Sequence, residues 1–177
     1  MTRPDRTEAA EYFFTYIDQV GEGDIRDVLR RQLDETLEVF GAIDEDRAGF
    51  RYAPDKWSIR AVAGHVNDTE RVFTYRALWF ARGFDTPLPS FDQNLAVPHA
   101  GADDRSWQSH VDEFRAVRTA TLTLFDALPA DAWTRRGIAS NREVTVRALA
   151  YITAGHVEHH LRILRDRYLG AAGLRTP

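Results

Sequence analysis

The chain has 177 residues, of which 44% are hydrophobic, so it has the size of one domain and enough apolar residues for its own core. Its formal net charge of −4 at pH 7 excludes the strongly basic surface that nucleic-acid binding requires. No run approaches the ~20 apolar residues of a membrane-spanning helix, and the N-terminus lacks a signal-peptide pattern. We therefore expect a cytoplasmic protein that binds neither nucleic acid nor membrane. Because cysteine is absent, any metal ligand must be histidine, aspartate or glutamate.

Apolar residues recur at helical spacing along most of the chain. A short amphipathic segment begins at Thr7 and stops at the glycines before Asp24, which is placed to cap the next helix. Ser58 is placed to cap another. Long helices are predicted over residues 24–43, 58–83, 104–128 and 145–170.

A stretch of about twenty residues, 84–103, separates the second and third long helices and contains three of the seven prolines. It is longer than a connection between packed helices requires, and we expect it to cover the functional site. No convincing strand pattern is present. The predicted fold is all-α: an antiparallel four-helix bundle with a short extra N-terminal helix and a long crossover loop. Residues 1–23 would form an N-terminal extension and residues 24–170 the bundle domain.

Three of the six histidines lie in the segment YITAGHVEHHL, residues 151–161. At about 100° per residue, His156 and His160 project onto the apolar stripe of their helix, and His159 lies at its edge. His65 projects inward from the earlier helix. Burying imidazoles without partners costs on the order of 1–3 kcal/mol each, and a shared metal removes that cost. We therefore predict that His65, His156 and His160 bind one divalent ion, zinc in the first place, with Ni²⁺, Fe²⁺ or Mn²⁺ as alternatives.

The segments KWSIRAVAGHVNDTERVFTYRALWFARG, PLPSFDQN and AGHVEHHLRIL resemble the DinB-like superfamily, in particular its branch of YfiT-type metal-dependent hydrolases and bacillithiol transferases. The resemblance covers roughly residues 24–169. It implies a four-helix bundle with a long crossover, and it implies the same three histidine ligands. Relatives include thiol-dependent S-transferases and a mycothiol-dependent isomerase, so the implied activity is broad.

Four further residues are candidates for the site. Arg76 projects onto the stripe of His65, where a buried charge needs a partner. An ion pair with a carboxylate such as Asp92 is the favoured interpretation, and contact with an anionic substrate group is the alternative. Asp92 is the one carboxylate of the long loop suited to act as a catalytic base. Arg76, Gln93 and Asn94 could contact polar groups of a substrate.

Other residues have plainer interpretations. Tyr75, Trp79 and Phe80 are expected in the core, and His99 and His110 are expected at the surface, because neither histidine has metal-ligand spacing. The aromatic N-terminal segment YFFTYI, residues 12–17, offers more apolar surface than one short helix hides, which favours a homodimer.

Several functions remain open for the sequence alone. The favoured hypothesis is a metal-dependent enzyme that transfers a low-molecular-weight thiol, such as bacillithiol or mycothiol, to an electrophilic small molecule. Metal-dependent hydrolysis of an amide or ester is the alternative reaction. A stress-related binding module would instead hold a structural metal with a fourth ligand such as Asp92 or His159. A metal-free helical interaction partner is the last possibility.

Overall fold

The computed structural model describes residues 1–170. Its α-helices are α1 (Phe14–Ile17), α2 (Ile25–Gly41), α3 (Glu45–Ala48), α4 (Ile59–Ala81), α5 (Gln93–His99), α6 (Trp107–Asp126) and α7 (Val146–Ile163), and α7 continues as a π-helical stretch, Leu164–Leu169. Short 3-10 helices occupy Arg6–Glu8, Glu11–Phe13, Ala102–Asp104 and Ala130–Thr134, and two strands follow as β1 (Arg136–Ala139) and β2 (Arg142–Thr145). None of the helices in this part of the chain is long and apolar enough to cross a membrane.

Each of the long helices begins at a residue whose side chain accepts a hydrogen bond from a free backbone N–H of the first turn. Asp24 caps α2 and Ser58 caps α4, as predicted. Ser106 and Thr145 cap α6 and α7 in the same way. Such caps satisfy N–H groups that would otherwise lack partners, and each contributes about 1 kcal/mol to helix stability.

Four long helices, α2, α4, α6 and α7, form the predicted bundle. Helix α2 packs against α6 and α7, and α4 packs against the same two helices, which places α2 and α4 on one diagonal. The Asn67 amide donates to the His110 carbonyl, and further along the same two helices Thr74 contacts Thr121, so α4 and α6 run parallel. Parallel neighbours require the chain to return along the bundle, which explains the long crossover between them.

A polar layer crosses the centre of the bundle. Arg118 of α6 is fully buried and donates from Nε and Nη2 to the two carboxylate oxygens of Glu70 on α4, both at 2.8 Å. Its Nη1 donates to the Leu29 carbonyl and the Gln32 side chain of α2, both at 3.1 Å. Gln32 in turn donates to the Ala154 carbonyl of α7 at 2.9 Å. One connected network therefore joins all four helices.

The connection before α7 contains a β-hairpin, and the prediction that the chain has no strands was wrong here. Strands β1 and β2 pair antiparallel from Arg136 with Thr145 to Ala139 with Arg142. Ser140 and Asn141 both have positive φ, 54° and 59°, which is the geometry of a two-residue type I′ turn. Asn141 is the local signal for this turn, but four-residue strands are too short for alternation to reveal them.

The long crossover is more ordered than the sequence suggested. Its Leu88 bonds through the backbone to Ile138 and Ser140 of the hairpin, at 2.9 and 3.1 Å. Asp92 then caps helix α5. The crossover and the hairpin therefore support each other beside the C-terminal half of α4.

The N-terminal segment packs onto the bundle. Phe14 and Ile17 are buried in the core together with residues of α2 and α7, whereas Tyr12 is 64% exposed. Much of the aromatic surface that suggested a homodimer is thus covered within one chain. Homodimer formation stays a prediction.

We expect the Arg118–Glu70 pair to be critical for stability. Replacing Glu70 with Gln leaves a buried guanidinium without its counter-charge, and the free energy of unfolding should fall by roughly 3 kcal/mol or more. Urea denaturation measures this loss. The matched control is Arg30→Gln, which removes an exposed ion pair with Asp126 and should cost less than about 1 kcal/mol. Equal effects of the two substitutions would contradict the assignment.

Candidate metal centre

Three histidines converge in the interior between α4 and α7. His65 Nε2 lies 3.1 Å from His156 Nε2, which lies 3.2 Å from His160 Nε2. All three side chains are buried, at 3%, 4% and 9% exposure. Around a tetrahedral ion with Zn–N bonds of ~2.0–2.1 Å, ligand nitrogens are separated by roughly 3.3 Å. Two of the three nitrogen–nitrogen distances therefore already match the edges of a tetrahedral site, and one ligand nitrogen of each histidine lies within 4.8 Å of the others.

The local sequence explains why these rings meet. His156 and His160 are one helical turn apart and lie on the same face of α7. His65 contacts both from α4, with ring centroids 5.0 and 4.9 Å from theirs. Trp57 lies at the entrance of α4, with its ring centroid 5.0 Å from that of His65.

The donor set fits a metal ion. Two imidazoles can hydrogen-bond through facing Nε2 atoms only if one carries the proton, so three converging Nε2 atoms cannot satisfy one another. A shared cation accepts all three lone pairs. Thr69 Oγ1 lies 3.3 Å from His65 Nδ1 and can fix that tautomer, whereas His160 Nδ1 is buried without a protein partner in residues 1–170. Within this part of the chain, no carboxylate or fourth histidine belongs to the group of converging ligand atoms.

Burial keeps these histidines neutral. Desolvation lowers the pKa of His65 from its usual 6.5 to about 4. Desolvation, followed by the neighbouring imidazoles, lowers the pKa of His156 and His160 well below that usual value. Metal binding requires unprotonated imidazole, so at pH 7 the site competes with very few protons.

A cavity of about 470 Å³ opens onto this centre and is lined by His65 and His156. Its walls come from five parts of the chain: the N-terminal segment with Tyr16, helix α4 with Phe73, the crossover, the hairpin, and α7 with His156. The crossover therefore lies in the wall of the cavity that reaches the histidines.

The predicted site residues of the crossover lie in different places. Asp92 and Gln93 line the cavity, although both are exposed, and the Asp92 carboxylate accepts a hydrogen bond from the Asn94 backbone at 2.8 Å. Asn94 is also exposed and is not among the residues that line the cavity.

Arg76 lines the cavity but does not form the expected ion pair. Its Nη2 donates to the Pro89 carbonyl at 2.8 Å and to Ser140 Oγ at 3.1 Å. Among residues 1–170 no carboxylate pairs with it, because Asp92 is held at the start of α5 instead. The favoured interpretation of Arg76 was therefore wrong.

Two expectations outside the metal site also need correction. His110 is fully buried instead of exposed, with Nε2 2.9 Å from the Ala102 carbonyl. Its spacing of three from Trp107 and four from Phe114, both buried on α6, could have indicated this. Tyr75 is 51% exposed and does not belong to the core, whereas Phe80 is buried as expected.

Tyr16 is a site residue that the sequence did not reveal. Its ring packs edge-on against His156 and His159, with centroids 5.5 Å away in both cases. Helix α1 reaches this position because residue 155 is glycine: a Cβ there would overlap the Tyr16 backbone carbonyl. Burial, followed by the nearby Tyr12 hydroxyl, raises the pKa of Tyr16, so it stays a neutral hydroxyl at physiological pH.

We expect each converging imidazole to be required for metal binding. His156→Ala should reduce the metal content of purified protein by at least about tenfold, because it removes the nitrogen nearest to both others. Elemental analysis measures the content. His159→Ala is the matched control and should keep the parental stoichiometry. Loss of metal from the control, with retention in His156→Ala, would overturn the ligand assignment.

The lowered pKa values predict that the metal-free protein is destabilised by acid. Unfolded histidines regain a pKa near 6.5 and bind more protons than folded ones below that pH, so the free energy of unfolding falls as the pH is lowered from about 6.5 toward 4. For His65 alone the loss between pH 7.5 and 5 should be roughly 2 kcal/mol. Urea denaturation in chelator measures it, and His65→Asn should flatten the dependence. An unchanged dependence in that variant would count against the burial argument.

Comparison with known proteins agrees with this architecture. No curated protein sequence matches the chain. Among solved structures the chain is similar to YfiT from Bacillus subtilis, described as a probable metal-dependent hydrolase with an unusual four-helix bundle topology. The TM-score is 0.66 and the sequence identity 14%, over 93% of this chain and 92% of YfiT, which establishes a shared fold. The family model of the DinB superfamily matches residues 28–164, a span that contains all three converging histidines. The chain therefore belongs to the DinB superfamily.

Proposed function

We propose that this chain is a metal-dependent enzyme that transfers a low-molecular-weight thiol, of the bacillithiol or mycothiol type, to an electrophilic small molecule. The observation that carries the proposal is the convergence of three buried, neutral imidazoles beside a cavity of about 470 Å³. Zinc is the ion we propose, since three histidines and one open position form a common catalytic zinc site.

The ligand set supports a catalytic centre over a structural one. Structural zinc sites are usually closed by four protein ligands. The two residues that could have closed this site are engaged elsewhere, since His159 packs against Tyr16 and Asp92 caps α5. In the described chain neither belongs to the group of converging ligand atoms. A substrate atom can therefore approach the histidines from the cavity.

When bound, such an ion supplies a Lewis acid that holds a thiol or a water molecule in its deprotonated form at neutral pH. The chain's own residues prepare this position. The imidazoles are kept neutral by burial, and Thr69 can orient His65. Phe73 and Tyr16, whose rings pack on His156, give the cavity an aromatic wall beside the reacting atoms.

Thiol transfer requires fewer catalytic side chains around the metal site than hydrolysis does. Transfer forms a bond between the thiol sulfur and a carbon of the electrophile while the bond from that carbon to its leaving group breaks, and the thiol proton passes to solvent or to the leaving group. Hydrolysis requires a side chain that accepts and returns a proton. Asp92 is the only carboxylate among the residues that line the cavity, and it already accepts the Asn94 N–H. Polar contacts to the thiol carrier are proposed for Arg76, Gln93 and Asn94.

Metal-dependent hydrolysis is the second candidate. It is favoured by the position of Asp92, which lines the same cavity as His65 and His156. The fold shared with YfiT, itself described as a probable metal-dependent hydrolase, points in the same direction.

One experiment separates the two reactions. The zinc-loaded protein is assayed for conjugation of a chlorobimane with bacillithiol, mycothiol and glutathione, and for cleavage of an ester and amide panel. If the protein is a transferase, replacing His160 should abolish conjugation. Asp92→Asn should keep the conjugation rate within about threefold of the parent rate, because asparagine can still cap α5 and no proton-accepting carboxylate is needed. Hydrolysis predicts that Asp92→Asn lowers the rate by roughly 10²-fold or more. Asp85→Asn, in the same crossover but outside the cavity wall, is the control. Cleavage without any conjugation would replace the transferase proposal with the hydrolase.

A further inference from the structure

Arg76 is a buried cation without a counter-ion. Its side chain belongs to a residue only 6% exposed, and its protein partners are a carbonyl and a hydroxyl, neither of them charged. Burial lowers the pKa of Arg76, and no carboxylate of the described chain opposes that effect. A charge taken out of water without a partner is costly, so a site of this kind favours an anion that enters from outside.

The guanidinium is held in place through one nitrogen, and its other N–H groups are available to donate hydrogen bonds. Both bonds to protein groups come from Nη2, which ties Arg76 to the crossover through Pro89 and to the hairpin through Ser140. Nε and Nη1 make no hydrogen bond within residues 1–170, yet neither is among the fully enclosed unpartnered atoms. Since Arg76 lines the cavity, these N–H groups can serve a molecule bound there.

The distance between Arg76 and the histidines determines how long a molecule must be to contact both. Arg76 follows His65 by eleven residues on α4, about three helical turns, so their Cα atoms are roughly 16 Å apart along the axis. Both residues line one cavity. A molecule that occupies the cavity can therefore reach the metal ligands with one end and the guanidinium with the other.

We propose that the cavity binds an elongated small molecule with a carboxylate at one end, held by Arg76, and its reacting group at the other end, near the histidines. The placement of the reacting group rests on the proposed function, whereas the carboxylate site does not. One buried guanidinium balances one negative charge, which matches a carboxylate better than a dianionic phosphate. Arg142 and Asp92 line the same cavity and carry opposite charges, and both are exposed to water, so within residues 1–170 Arg76 is the one buried charge among the lining residues.

The test compares probes that differ only in charge. The zinc-loaded protein is titrated by calorimetry with two matched pairs, hexanoate against hexanol and mercaptohexanoate against mercaptohexanol. We expect each carboxylate to bind at least about tenfold more tightly than its alcohol, as one charge-assisted hydrogen bond allows. The preference for the carboxylate over the matching alcohol should increase with chain length from mercaptopropionate to mercaptoundecanoate, because only the longer molecules can reach both Arg76 and the histidines.

Variants distinguish an anion site from a merely structural tie. Arg76→Met removes the charge at similar length and should bring the carboxylate-to-alcohol ratio close to one, while Arg76→Lys should retain part of it. If the substitution only loosened the crossover, the carboxylate and its matching alcohol would both bind more weakly, and the ratio of their affinities would stay unchanged. The control is Arg82→Met, at the exposed C-terminal end of the same helix and outside the cavity wall, which should keep the parental ratio.

Each outcome decides one claim. A ratio near one in the parent protein, or a ratio unaffected by Arg76→Met, would overturn the carboxylate site, and tighter binding of hexyl phosphate than of hexanoate would overturn the choice of anion. If hexanoate is preferred over hexanol but the thiol group adds no affinity, the anion site stands and thiol transfer fails.

Discussion

The buried ion pair between Arg118 and Glu70 is the interaction on which the arrangement of the helices depends. It joins α6 to α4 directly, and Gln32 extends it to α2 and to the Ala154 carbonyl of α7. Ala154 is two residues before His156, and Glu70 is five residues after His65. The same network that satisfies a buried charge therefore fixes the axial register in which the two histidine-bearing helices face each other.

The apolar core is divided around this polar layer. One cluster surrounds Phe125 and Leu149, and the other surrounds Phe40 and Phe114. Apolar surfaces alone tolerate sliding of one helix past another, since leucine and phenylalanine contacts have little directionality. A buried ion pair often contributes no more stability than well-packed apolar residues would, but its hydrogen bonds form only when the two side chains are aligned. For nitrogens that must meet within about 3 Å, alignment is the more important property.

Sequence periodicity was enough to predict the bundle, the caps at Asp24 and Ser58, and the inward projection of the three histidines, because helix geometry determines which face a residue occupies. Periodicity did not predict the features that depend on contacts between residues far apart in the chain. The partner of Arg76 depends on where the crossover and hairpin meet, and the contact of Tyr16 with His156 depends on how α1 crosses α7. The hairpin was missed because each strand has only four residues.

The absence of a side chain at Gly155 has a consequence for how this protein could diversify. The glycine lets the N-terminal segment lie directly on α7 next to His156, so that segment supplies one wall of the cavity. It precedes residues 28–164, which the family model matches. Substitutions at residues such as Tyr12 and Phe13 can therefore change the shape of the cavity while the three histidines and the bundle stay unchanged. The side chains that shape this end of the cavity and the converging histidines thus lie on separate stretches of the chain.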